Sequence, residues 1–342
     1  MRVAVVHDSV GENCPADQAD AIIQAKAVEQ ALAFIGHRAC ILPLSSDFGA
    51  TLAQIRAFGA DIVFNLVESL EGSGRLIHLF PFFLEAKKLP FTGAGADAML
   101  LTSNKVAAKS ILTTKNLPTP DWAGPYPPSA FAFGRSAANL AQGRWIVKSV
   151  WEHASIGLDE NSLFEPSGYA DIAARLEEAH CRMGGDFFAE KFIDGREFNL
   201  SILAGEDGGP QVLPPAEIIF EGYGPDRVKI VDYKAKWDEA SYEFSHTPRS
   251  FDFPQSDATL LKTLKSLALS CWQAFNLAGY ARVDFRVDEK GRPFILEINT
   301  NPCLSPDAGF AAALAQAKIP FEQAVAAICK NALNPLAQEI AP

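Results

Sequence analysis

The chain has 342 residues, 48% of them hydrophobic and 21% charged, which is ordinary globular usage and enough apolar material for two or three domains. That composition excludes a disordered chain and a disulfide-stapled miniprotein. The net charge of −11 makes the protein as a whole a poor partner for nucleic acid or anionic lipid, although a local basic pocket can still hold phosphates.

No run of about 20 apolar residues is present, so no transmembrane helix is expected. Residues 1–6 read as a strand and not as a signal peptide, being short and running directly into His7 and Asp8. The six cysteines are scattered without a Cys-x-x-Cys pair, which points to free thiols in a reducing cytoplasm.

In chain order, Arg2-Val-Ala-Val-Val6 is the short apolar run of a buried parallel strand. A helix is expected over residues 18–35, a strand over 37–42, a helix over 51–58 and a strand over 61–66. Residues 76–86 read as a helix, with Pro81 kinking it or marking its first turn. Residues 89–95 read as a strand and turn. The alternation implies a right-handed parallel sheet with helices on its faces.

One helix is expected over 96–114, carrying Lys105 and Lys109, and the proline-rich stretch 117–128 marks a change of unit. Strands follow at 144–150, 186–193 and 196–204, with a helix at 167–183. The stretch 222–250 reads as a long, irregular functional loop. A helix at 258–276, with Ser256 or Asp257 as its N-cap, precedes strands at 281–287 and 293–299. A helix at 320–333 closes the chain.

The last two strands carry the most chemistry. Alternation places Arg282, Asp284 and Arg286 on one face of the first, and Ile295, Glu297 and Asn299 on one face of the second, with Phe294, Leu296 and Ile298 opposite. If the polar faces coincide, Asp284, Glu297 and Asn299 form an oxygen-donor set for Mg²⁺. A solvated sheet face with ordinary charges is the competing reading. Lys148 ends a strand and precedes a small-residue turn, Trp151-Glu-His-Ala-Ser-Ile-Gly157, whose amides can meet a phosphate. No Walker A sequence is present. Glu190 and Glu197 flank the turn at Asp194-Gly195, where they can take a ribose hydroxyl or an exocyclic amine, or simply face solvent.

Together these fragments resemble the ATP-grasp fold and, within it, the D-alanine–D-alanine ligase family, over about residues 89–307. The resemblance rests on Phe91-Thr-Gly-Ala-Gly95, Asn104-Lys105 with Lys109, and Val147-Lys148 with the Glu152–Gly157 loop. It continues in Glu190-Lys-Phe-Ile-Asp-Gly-Arg-Glu197, Tyr233-Lys-Ala-Lys-Trp237, Arg282-Val-Asp284 and Glu297-Ile-Asn-Thr-Asn-Pro-Cys303. It implies an α/β chain, an ATP-grasp fold preceded by a Rossmann-like parallel-sheet domain. The implied units are an N-terminal substrate-side domain (1–95), a central ATP-grasp subdomain with the phosphate loop (96–185) and a C-terminal subdomain with the metal and catalytic residues (186–342).

By the same resemblance, Lys105 and Lys148 hold ATP phosphates and Ser155 contacts the transferred phosphate or the substrate. Glu190, Lys191, Phe192 and Ile193 surround adenine, Glu197 takes ribose and Lys236 reaches the γ-phosphate. Asp284, Glu297 and Asn299 hold two Mg²⁺ ions (or Mn²⁺), and Arg282 stabilises the tetrahedral oxyanion. The implied reaction is ATP-dependent ligation of a small acid to an amine through an acylphosphate, under mobile lids at 152–157 and 222–250. A cytoplasmic homodimer acting on small molecules is implied, without nucleic-acid or membrane partners.

The departures gather where the two amino acids would bind. The family's Glu-x-x-Val-Ser segment is absent after the first strand, and its His-Gly-x-x-Gly-Glu-Asp-Gly is replaced by Phe64-Asn-Leu-Val-Glu-Ser-Leu-Glu-Gly-Ser-Gly74. The loop tyrosine is Trp237, His153 and Ala154 enter the phosphate loop, and a substrate serine becomes Ala308, with Ser305 or Asp307 as compensating candidates. Cys303 replaces glycine. Three expectations follow: a D-alanine ligase, a relative that joins other acids and amines, or a catalytically silent ATP-binding regulator or scaffold.

Overall fold

The computed structural model describes residues 1–11, 14–128, 143–152, 162–205, 208–224 and 226–333. The first unit runs β1 (Arg2–His7), α1 (Ala16–Phe34), β2 (Arg38–Pro43), α2 (Phe48–Phe58) and β3 (Ile62–Leu66), and its three strands pair in parallel in the order β2-β1-β3. The apolar run of β1 is explained by its two covered faces. Val3 and Val5 pack towards α1, while Ala4 and Val6 pack towards Ile55 of α2 and Phe80 of α3 (Leu79–Ala86). Pro81 sits in the first turn of α3, where a missing N–H costs nothing.

Two expectations are corrected here. The strand at 89–95 shrinks to a single bridge between Phe91 and Val63, because Pro90 lacks a donor and Gly93 turns the chain at φ +89°. The single helix at 96–114 is two, α4 (Ala96–Ser103) and α5 (Lys105–Thr114). Asn104 leaves helical geometry between them and caps α5, its side chain accepting from the Ala107 amide at 2.9 Å. That break sends Lys105 off as the first residue of a new helix.

A second sheet follows, of β4 (Trp122–Tyr126), β5 (Trp145–Ser149), β6 (Leu163–Phe164) and β7 (Phe187–Lys191), antiparallel in the order β4-β7-β5-β6. Helix α6 (Tyr169–Met183) covers it through Ile172, Leu176 and Ala179. By strand pairing, β7 belongs to this sheet, so the passage to the last unit falls after Lys191. The turn that makes it depends on Gly195. Its φ is +140°, and an added Cβ would lie 2.1 Å from the Val287 carbonyl oxygen.

The third sheet is built from β8 (Arg196–Ala204), β9 (Pro210–Val212), β10 (Ala216–Ile218), β11 (Arg249–Ser250), β12 (Tyr280–Val287) and β13 (Pro293–Asn299). Its order is β11-β10-β8-β12-β13, with β9 also on β8. The segment expected to be irregular at 222–250 holds two short helices, α7 (Tyr233–Trp237) and α8 (Tyr242–Ser245), before β11. Phe198, Leu200, Val283 and Phe285 face α4, α5 and α9 (Ala258–Ala274). Asp257 precedes α9 but does not cap it; its carboxylate is taken by Arg196 at 2.7 Å. The opposite face of β8 and β12 is polar. Helices α10 (Gly309–Gln316), missed in the sequence, and α11 (Phe321–Ala332) pack back against α1 and β3, joining the first and last units through one core.

A bulge corrects the face assignment of β13. Asp284 pairs with Glu297 but Phe285 pairs with Ile295, so Leu296 is the extra residue. Ile295 therefore joins Ile298 in the core, while Glu297 and Asn299 stay on the polar face opposite Asp284 and Arg282. Among the described residues no helix is long and apolar enough to cross a membrane, and all six cysteines are free of disulfides.

Candidate active site

The polar face of the third sheet, the edge of the second and the first unit enclose a cavity of about 480 Å³. The candidate ATP, metal and oxyanion residues read from the sequence all line it, except Ser155, which with His153 and Ala154 lies outside the described residues; of the two candidates near Ala308, Asp307 lines it and Ser305 does not. Lys105, Lys148, Glu190 and the Lys191–Ile193 stretch form one end. Glu197, Lys236, Arg282, Asp284, Glu297 and Asn299 form the floor.

At the first end, Glu190 is clamped by two lysines. Lys148 Nζ lies 2.5 Å from Oε1, and Lys109 Nζ lies 2.6 Å from Oε2. Burial would raise the Glu190 pKa, but these lysines more than offset it and hold the carboxyl below its ordinary value. Burial likewise pulls Lys148 down, yet Glu190 turns the net shift upward, so Lys148 stays charged. Lys105 donates to the Glu152 carbonyl at 2.7 Å, and burial lowers its pKa. Phe192 is flanked by the guanidiniums of Arg144 (5.0 Å) and Arg286 (5.5 Å). Glu197 pairs with Arg286 at 2.8 Å.

On the floor, Arg282 grips Asp284 with two bonds, Nε to Oδ1 at 2.7 Å and Nη2 to Oδ2 at 2.8 Å, with Glu297 4.0 Å away. Asn199 on β8 donates to the same Oδ1 at 2.7 Å. Burial raises the pKa of Asp284, opposed by Arg282. Lys236 arrives on α7, which Asp232 caps through the Ala235 amide; burial pulls its pKa down, countered by Glu297. The segment around α7 is tied over the cavity at two points: Tyr233 Oη donates to Asp17 at 2.9 Å, and Arg286 donates to the Lys229 carbonyl.

The remaining end carries residues the sequence did not single out. Glu68 follows β3 and lines the cavity, accepting from Gln24 at 2.9 Å. Burial, reinforced by Asp8 and Asp20, pushes its pKa up to about 8. Asp20 also lines this end; its oxygens accept from Ser305 Oγ (2.5 Å) and Cys303 Sγ (2.8 Å). Ser305 is thus buried on Asp20 and does not stand in at Ala308. Burial, then Glu68 and Asp20, keeps the Cys303 thiol well above its usual range, which favours the protonated thiol. Asn199 was detectable, two residues along β8 from Glu197. Glu68 and Asp20 carried no local signal.

Two antiparallel sheets closing on one polar cavity, behind a parallel three-stranded unit, define an ATP-grasp protein. A crystal structure of D-alanine–D-alanine ligase from Bacillus anthracis, complexed with ATP, shares this fold with a TM-score of 0.71 over 99% of both chains, at 20% identity. Residues 144–330 match the family described as D-ala D-ala ligase C-terminus. The D-alanine–D-alanine ligase of Synechococcus sp. (strain JA-2-3B'a(2-13)) is 29% identical over 316 residues, 91% of this chain and 88% of that protein. The corresponding ligase of Pelotomaculum thermopropionicum is 30% identical over 260 residues, 73% of this chain and 74% of that protein. The chain belongs to the D-alanine–D-alanine ligase family and is an ATP-dependent ligase.

Proposed function

We propose that the chain joins the carboxylate of one small amino acid or related acid to the amine of a second through an acylphosphate. The supporting observation is the convergence of Lys105, Lys148, Lys236 and Arg282 with Asp284 and Glu297 on a single cavity. The acid's oxygen attacks the γ-phosphorus of ATP and the bond to the β-phosphate oxygen breaks, releasing ADP. The amine nitrogen then attacks the carbonyl carbon, the carbon–oxygen bond to phosphate breaks, and the amine's proton leaves with phosphate to solvent.

In this reading Lys105 and Lys148 hold phosphates, and Lys236 meets the one that is transferred. With both Glu190 oxygens facing lysines, adenine is read by the backbone through Ile193, packed beside Lys191 and Phe192. Glu197, oriented by Arg286, takes ribose. Arg282 keeps Nη1 free of hydrogen bonds among the described residues and directs it to the oxyanion, a role typically worth about 10²–10³ in turnover. Asp284, Glu297 and Asn299 offer two carboxylates and an amide oxygen from cross-strand neighbours, and Asp284 Oδ2 accepts from Arg282 alone, so the donor set fits Mg²⁺. Mg²⁺ there would neutralise charge on phosphoryl oxygens. The Bacillus anthracis relative, solved with ATP, supports the nucleotide assignment.

The test is release of ADP from Mg-ATP with pairs drawn from D- and L-amino acids, D-alanine included, with the product identified by mass. We expect ADP, phosphate and an amide in equal amounts. ATP binding without ADP release from any pair would overturn the proposal.

A further inference from the structure

The end of the cavity lined by Glu68 holds carboxylates from three segments: Asp20 on α1, Glu68 after β3 and Asp307 before α10. Asp20 has both oxygens taken, by Ser305 Oγ and Cys303 Sγ. Asp307 is exposed and stands close enough to Arg249 to favour that guanidinium's charge. Glu68 stands apart. Among the described residues it has no ion pair, and its side chain makes one hydrogen bond, Oε1 accepting from Gln24 at 2.9 Å. That leaves Oε2 without a donor among the described residues, on a side chain that lines the cavity.

Its placement is fixed from both sides. The Glu68 amide donates to Asp8 Oδ1 at 2.8 Å, and Ser69 Oγ donates to Asp8 Oδ2 at 2.7 Å. Gln24 is itself engaged, accepting from the Leu304 amide at 3.3 Å. The titratable and charged groups around the carboxyl are Asp8 after β1, Asp20 on α1, Tyr280 and Arg282 on β12, and Cys303 after β13. Arg282 is the one cation among them, and Asp284 holds it with two bonds. Burial and the two aspartates therefore make Glu68 a stronger base than an ordinary carboxylate, with its pKa pushed up to about 8. Ligation has a use for such a base. An amino acid's amine arrives as an ammonium at neutral pH, and an ammonium has no electron pair with which to attack a carbonyl. An ordinary carboxylate holds a proton too weakly to take it from an ammonium, whereas one lifted towards the amine's own range can.

We propose that Glu68 is the general base of the second half-reaction, taking a proton from the ammonium of the acceptor. The proposal rests on the ligase reading above and adds the residue that frees the nucleophile. The ammonium N–H bond breaks and its proton passes to a Glu68 oxygen; the electron pair left on nitrogen attacks the acylphosphate carbon. The carbon–oxygen bond to phosphate then breaks, and phosphate leaves with that bonding pair and with a second proton from nitrogen. Glu68 returns its proton to solvent when the product departs.

The experiment compares wild type, Glu68→Gln and Glu68→Asp with the donor acid held fixed. The acceptor is either the amino acid that wild type ligates or hydroxylamine, a weak base already neutral at physiological pH that traps the acylphosphate as a hydroxamate. At about pH 7.5, Glu68→Gln should lower kcat/KM for the amino acid about 10²-fold or more, the usual worth of a general base, and lower hydroxamate formation far less. Raising the pH towards about 10 should narrow the gap, since the amine then loses its proton unaided. Wild-type kcat/KM for the acceptor should rise with pH through about 8, and in Glu68→Gln that rise should move to higher pH. Glu68→Asp, its carboxylate drawn back by one methylene, should keep part of the activity at neutral pH. An equal loss of amide and hydroxamate in Glu68→Gln overturns the proposal, as does a Glu68→Gln enzyme with the wild-type rate and pH profile; wild-type turnover leaves the ligase reading standing in both cases. No ADP release by wild type with any amino acid pair or with hydroxylamine removes that reading and this proposal together.

Discussion

Replacing Lys109 with methionine tests whether the buried lysine–glutamate–lysine row sets the charge that Lys148 presents to the cavity. Lys109 and Glu190 have side chains only 1% and 2% accessible, so water cannot take the place of a lost partner. At an effective dielectric of about 20, a contact of this length carries about 6 kcal/mol of bare attraction. Repulsion between the two lysines and the hydration recovered on removing one offset part of it, and breaking a buried pair typically costs about 3–5 kcal/mol. The lower end, about 3 kcal/mol, is expected because Glu190 keeps Lys148. Two lysines and one carboxylate leave one positive charge in the row; with methionine the sum is zero. Lys148 is then neutralised one to one, and the ATP KM should rise about tenfold, about 1.4 kcal/mol.

Urea unfolding followed by tryptophan fluorescence, with an ATP titration alongside, reads both effects. The pH dependence gives a further check. Glu190 is held below its ordinary value in the folded state, so its contribution is present above that value and is lost as pH falls through the depressed one. Without Lys109 the depression shrinks, and acid unfolding should begin at a higher pH. Adding Glu190→Gln should recover part of the stability, since no carboxylate remains buried against a deficit of charge. A Lys109→Met protein within about 0.5 kcal/mol of wild type, or a double variant as unstable as the sum of the singles, would refute this reasoning.

Glu68, lifted mainly by burial to about 8, stabilises the fold through its neutral form; that contribution is complete below the ordinary carboxyl range and fades as pH rises through 8. Glu68→Gln should flatten the fall in urea midpoint between about pH 5 and 9, and an unchanged slope would count against the assignment. Iodoacetamide at about pH 7.5 should label exposed Cys181 while sparing Cys303 and Cys271, whose thiol burial pushes up to about 12; rapid native labelling of Cys303 would contradict its environment. Gly195→Ala should cost more than about 3 kcal/mol in urea unfolding, because backbone and not a pliable side chain stands in the way; a smaller loss would mean that the turn can move.

How far the sequence could be read depended on whether a segment's partners were fixed by its own periodicity. Residues 281–287 alternate cleanly, so their buried and polar faces could be assigned before any pairing was known. In β13 the run Phe294-Ile-Leu296 is apolar throughout, and alternation there does not specify a register; the bulge at Leu296 was invisible for that reason. Asn104 marked no break because the helical pattern continues on both sides of it, and only its capping bond to Ala107 separates the two helices. Lys109 was noted on its helix, but a lysine four residues after Lys105 reads as a solvated neighbour until tertiary packing buries it on Glu190.

The residues that were missed share a physical origin. Glu68 follows a parallel strand and Asp20 lies within α1, so neither belongs to a polar pattern that repeats; Gln24 of the same helix holds Glu68, and the turn at Cys303 and Ser305 meets Asp20. The residues proposed to hold ATP come chiefly from the two antiparallel sheets and their connecting segments, which fix their spacing along the chain. Those facing the other end come from three separate segments whose relative placement is purely tertiary. The Glu68 side chain bonds to Gln24 on a helix and not to a strand. The departures from the family pattern around Glu68 and Ala308 fall at that end of the cavity, away from the lysines at Lys105 and Lys148.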